Sequence, residues 1–60
     1  MTKTIPRDPV ICVSFINAQL RDFYPDLDEL CHAFSADRKE LEERLNQADY
    51  FYIQELNQFR

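Results

Sequence analysis

Sixty residues, 45% of them apolar, suffice for one small domain with a compact core and argue against disorder. The chain has no glycine, which excludes phosphate-cradling loops, dinucleotide fingerprints and nucleophile elbows, because these need positive φ or a close backbone approach. The net charge of −4 is concentrated in residues 25–47, where three basic side chains face seven acidic ones, the wrong sign for a phosphate backbone.

Met1 to Arg7 reads as a flexible N-terminal arm, and residues 8–60 as a single helical domain with a C-terminal hairpin. Asp8-Pro9 opens the first helix: aspartate caps the free amides, and proline at the first helical position gives up no needed N–H. This helix is predicted over about 9–23, because Pro25 blocks continuation past Tyr24. Val10, Val13, Ile16 or Asn17, Leu20 and Phe23 form its apolar stripe, and Ile11, Cys12, Phe15 and Ala18 widen it around most of the circumference. Such a helix wants cover on more than one side.

Asp26-Leu27-Asp28-Glu29 is a capping box with aspartate in the capping position, and Asp37-Arg38-Lys39-Glu40 repeats it eleven residues later. The two boxes predict helices over about 27–34 and 37–47, joined at Ser35-Ala36-Asp37. Leu27, Leu30, Cys31, Phe34, Leu41 and Leu45 then fall at the offsets by which the two helices of a helix-turn-helix bury each other. Many such elbows carry glycine where Ser35 stands. After Asp49 the period changes. Tyr50-Phe51-Tyr52-Ile53 is β-branched and aromatic, and Asn57-Gln58-Phe59 follows a short polar break. A small hairpin (50–53 and 57–60) is expected, with Asn57 taking positive φ, Tyr50 and Tyr52 on one face, and Phe51 and Ile53 on the other. A two-stranded hairpin is marginal in water, so one face must dock on the helices. The expected fold is mainly α: three helices, the last two a helix-turn-helix, closed by the hairpin in a winged-helix-like layout.

Several stretches are familiar. Asp8-Pro9-Val10, Asn17-x-x-Leu20-Arg21-Asp22-x-Tyr24, Leu27-x-x-Leu30-Cys31, Tyr50-x-Tyr52 and Glu55-Leu56-Asn57-Gln58-Phe59 together resemble a short bacterial family catalogued as domain of unknown function 4250. The likeness covers nearly the whole chain, with the closing Asn-Gln-Phe and the Asn-x-x-Leu-Arg-Asp stretch its more specific parts. It implies a free-standing bacterial protein of about this length and carries over no activity. Ala48-Asp49 departs from it, since glycine is expected before the aromatic strand.

Candidate chemistry is sparse. Cys31 and His32 are helical neighbours pointing ~100° apart, Cys12 is remote in sequence, and no Cys-x-x-Cys or paired His spacing exists. Two thiols buried as core residues are expected, with no metal or cofactor. Asp28/Glu29 and Glu42/Glu43 are adjacent pairs on diverging helices, and Ser14, Ser35 and a single His build no nucleophile–base pair. No enzyme, and no small-molecule substrate, is therefore expected.

Two binding readings remain. Five Phe and three Tyr are generous for so small an interior, and Ile11, Phe15, Tyr50 and Tyr52 are the candidate interface with another protein or a second copy of the chain. The alternative is a nucleic-acid-binding regulator in which the third helix offers Lys39, Asn46 and Gln47 to bases and Arg38 and Arg44 to phosphates. Against it, Glu40, Glu42 and Glu43 cancel the helix's three cations, and Glu40–Arg44 is an i,i+4 pair of the favourable order. The apolar run 10–16 is too short to span a bilayer and the start is polar, so a cytoplasmic protein-binding module without membrane contact is the expectation.

Overall fold

Each helix opens on an aspartate. In the computed structural model, which describes residues 5–60, α1 runs Pro9–Asp22, α2 Leu27–Ala33 and α3 Arg38–Asn46, followed by β1 Tyr52–Ile53 and β2 Gln58–Phe59. The Asp8 carboxylate accepts from the amides of Val10 at 2.9 Å and Ile11 at 3.3 Å. Asp26 accepts from Glu29 at 2.8 Å, and Asp37 from Lys39 at 2.9 Å and Glu40 at 3.4 Å. These first-turn amides have no acceptor within their own helix, and a carboxylate there also meets the positive end of the helix dipole. The three expected starts hold to within one residue; Asp37 caps α3 from outside it.

Helices α2 and α3 end alike. Behind α2, Ser35 donates to the His32 carbonyl at 3.2 Å and Ala36 to Cys31 at 2.8 Å. Behind α3, Asp49 donates to Asn46 at 3.0 Å and Tyr50 to Leu45 at 2.9 Å. This double closure is the Schellman motif, which turns on one residue in the left-handed region. Ser35 (φ 53°) and Asp49 (φ 67°) hold those positions, where the chain lacks the glycines expected at the elbow and before the aromatic strand. Because the Tyr50 amide closes α3, the first strand begins at Tyr52 rather than at residue 50.

The strands pair antiparallel, Tyr52 opposite Phe59 and Ile53 opposite Gln58. Phe51 and Arg60 extend the ladder by exchanging two 2.9 Å bonds. Asn57 makes the turn with φ 52°, as its residue type suggested.

Ten side chains form the core: Cys12, Val13, Ile16 and Leu20 of α1, Leu27, Leu30 and Cys31 of α2, Leu41 and Leu45 of α3, and Phe59 of β2. Phe34, Tyr50 and Tyr52 pack against them, half-buried. The helix-packing residues expected from α2 and α3 therefore do converge in one interior. The middle of the expected α1 stripe, Val13, Ile16 and Leu20, is buried, and its two ends are not. Val10 is 62% and Phe23 70% exposed, since Cys12 lies on the buried side and Phe23 leaves helical geometry at φ −127°. Of the expected arm, Met1 to Thr4 lie outside the described residues, whereas Ile5 is half-buried against the core.

A β-carbon in the left-handed region costs roughly 1–2 kcal/mol, partly offset by glycine's greater unfolded-state freedom. Ser35→Gly and Asp49→Gly, both at exposed positions, should each raise the unfolding free energy by about 0.5–1 kcal/mol. Urea denaturation checks this; unchanged or lower midpoints would contradict it.

Candidate interaction face

Two carboxamides dock the hairpin. Tyr52 and Phe59 face each other between the Phe51–Arg60 and Ile53–Gln58 pairs, so the Phe59 backbone groups point away from β1. The Asn17 side chain meets both of them: its Oδ1 accepts from the Phe59 amide at 2.7 Å and its Nδ2 donates to the Phe59 carbonyl at 3.0 Å. One α1 side chain thus acts as a neighbouring strand. At the other end, Asn57 Nδ2 donates to the carbonyls of Leu20 at 3.2 Å and Tyr24 at 3.1 Å, capping the exit of α1. Its Oδ1 accepts at 2.7 Å from the Tyr52 hydroxyl, which itself accepts from the Leu27 amide at 3.3 Å. Four of the residues that carry the family resemblance, Asn17, Tyr52, Asn57 and Phe59, are these docking residues.

Of the three cations proposed for nucleic acid, Arg38 and Arg44 are occupied. Arg38 donates from Nη1 to Asp28 at 2.9 Å and from Nε to Glu42 at 2.5 Å, and its guanidinium carbon lies 5.4 Å from the centroid of the Tyr52 ring. The bonds to Asp28 and Glu42 raise its already high pKa. Arg44 lies 3.6 Å from Glu40. Lys39 and Gln47 are exposed and Asn46 half-buried. Arg38, Lys39 and Asn46 do share one hollow of about 480 Å³, but with Glu42 and Glu43.

The apolar candidates separate. Phe15 packs edge-on to Phe34, ring centroids 5.7 Å apart at 89°. Tyr50 and Tyr52 are on the docked face of the hairpin, against the core. Of the four, only Ile11 is largely exposed, at 59%. Its surroundings form a different face. From Pro9 to Leu20 no residue is charged. The side of α1 turned from the core presents Val10 and Ile11 at its start and Ser14 and Ala18 at its middle. Leu56, 49% exposed at the hairpin turn, joins Ser14, Asn17, Ala18 and Arg21 around a groove of about 640 Å³. The charge-free run was visible in the sequence as a signal for this face. The arrival of Leu56, from a turn more than thirty residues away in sequence, was not.

Cys12 and Cys31 are free and buried. Burial pushes both thiols above their ordinary pKa of 9.0, opposed by Arg44 at Cys12 and by Arg38 at Cys31. Among the described residues, no three His, Cys, Asp or Glu side chains are placed to hold a metal ion, and no helix is long and apolar enough to cross a membrane.

Asn17→Ala would leave both Phe59 backbone groups without their partner and should lower stability by about 2 kcal/mol, read by urea unfolding; a loss below about 0.5 kcal/mol would contradict the docking role. The raised thiol pKa values imply a pH dependence. The thiols ionise more easily in the unfolded chain, so their stabilisation is complete below about pH 9 and declines as pH rises through the higher folded values. Unfolding free energy should therefore fall as pH rises above about 9, and Cys12→Ala/Cys31→Ala should flatten that slope.

No curated protein and no solved structure matches the chain significantly. The family model described as Domain of unknown function (DUF4250) matches residues 6–59, nearly the whole chain, and the protein belongs to that family.

Proposed function

We propose that this protein is a small, non-catalytic, cytoplasmic binding module that acts through protein contact, using the outer face of α1 and the adjoining turn of the hairpin. The carrying observation is the exposure of Val10 and Ile11 on α1 and of Leu56 in the adjoining hairpin turn, beside a helix run, Pro9–Leu20, without charge in a chain that is 30% charged overall. An apolar patch bordered by polar surface is the usual signature of a contact surface. Two buried free thiols fit a reducing compartment. The nucleic-acid alternative has weaker support. Arg38 and Arg44 are held by carboxylates, and freeing them for phosphates would sacrifice those pairs.

A photoreactive benzoylphenylalanine placed at Ile11, Ala18 or Leu56 in living cells tests the contact face, with exposed Glu43 as control. Irradiation should yield protein adducts from the first three positions and not from Glu43. Equal yields at all four positions, or nucleic-acid adducts alone, would sink the reading.

A further inference from the structure

Resting on that contact face, we propose that its partner is a second copy of the chain, with α1 of each copy lying antiparallel on the other about a twofold axis. The face is self-complementary. Val10 and Ile11, 62% and 59% exposed, form a ridge at the start of α1. The groove of about 640 Å³ that Ser14, Ala18 and Leu56 line together with Asn17, Arg21 and Gln58 lies along its second half. A rise of ~1.5 Å per residue separates Ile11 from Ala18 by about 10 Å along the axis. A twofold midway between them brings the ridge of each copy over the groove of the other, the reciprocity that an isologous interface requires. Small side chains at Ser14 and Ala18 let the two backbones approach closely.

Charge favours the same occupant. Two copies of net charge −4 repel, yet the acidic side chains cluster in 25–47, on α2 and α3 and their approaches. The charge-free run Pro9–Leu20 is where two such molecules meet at least electrostatic cost, with the charged Arg21 at the far end of the groove.

The test is sedimentation equilibrium with a charge swap. Wild type should dimerise below about 1 mM. Ile11→Lys and Leu56→Glu should each weaken dimerisation tenfold or more, and the double variant, which juxtaposes lysine and glutamate twice across the twofold, should recover most of the loss. Both sites are exposed, and circular dichroism verifies that each variant remains folded. A wild type monomeric to 1 mM, or single losses that the double variant fails to restore, would overturn the antiparallel dimer. If photo-adducts at Ile11 then carry the mass of a different protein, the contact-face reading survives without it. A dimer that neither single variant weakens would overturn the twofold and the contact face together.

Discussion

A hairpin whose strands are two residues each cannot hold itself together in water. What holds it is the carboxamide of Asn17, which takes both backbone groups of Phe59 as a third strand would. That bond seats Phe59 in the core, the hairpin's single fully buried side chain. It also draws Asn57 to the far end of α1, where the chain turns toward α2 without a left-handed residue. The Asn57 amide meets the Leu20 carbonyl, one that a Schellman turn would otherwise close, and the Tyr24 carbonyl just beyond the helix. Helix α1 and the hairpin therefore complete each other: the helix closes the strand edge and the hairpin closes the helix end.

The lack of glycine is accommodated locally. Three positive-φ positions fall on Ser35, Asp49 and Asn57, short polar residues of which Asn and Asp visit this region most readily. Each lies beside strong anchors. Cys31 and Ala36 meet around the Ser35 turn, and Leu45 and Tyr50 around the Asp49 turn, all in or against the core. Apolar contact flanking the left-handed residue is what usually accompanies this turn.

Charge and apolar surface are divided between opposite parts of the molecule. Helices α2 and α3 carry three of the four ion pairs among the described residues, with Arg38 linking Asp28 on one to Glu42 on the other while lying over Tyr52; the fourth, Arg21–Asp22, stands at the end of α1. Arg38 and Arg44 are consequently structural first. From Pro9 to Leu20, α1 is free of charge. The carboxylate partners of Arg38 and Arg44 weigh against the nucleic-acid alternative in the proposed reading. The division also directs the functional reading to the first helix, where burying Val10, Ile11 and Leu56 against a partner would remove apolar surface from water.

Local rules determined most of the architecture. Aspartate caps, Pro25 and the apolar offsets of 27–45 act within one or two helical turns, so they specify where helices start and which sides of α2 and α3 are buried. The same locality made Asn57 readable as a turn residue. Tertiary structure alone decided how far the buried side of α1 extends beyond Val13, Ile16 and Leu20, because a helix apolar nearly all round has no sharp inner edge until other elements set one. That choice put Phe15 against Phe34, left Ile11 and Val10 in solvent, and brought Leu56 alongside Ala18. Asn17 and Asn57, more than thirty residues apart, likewise acquired their partners only when the hairpin folded back. Side-chain type records what a residue can bond to, and only the closed chain determines what stands within reach.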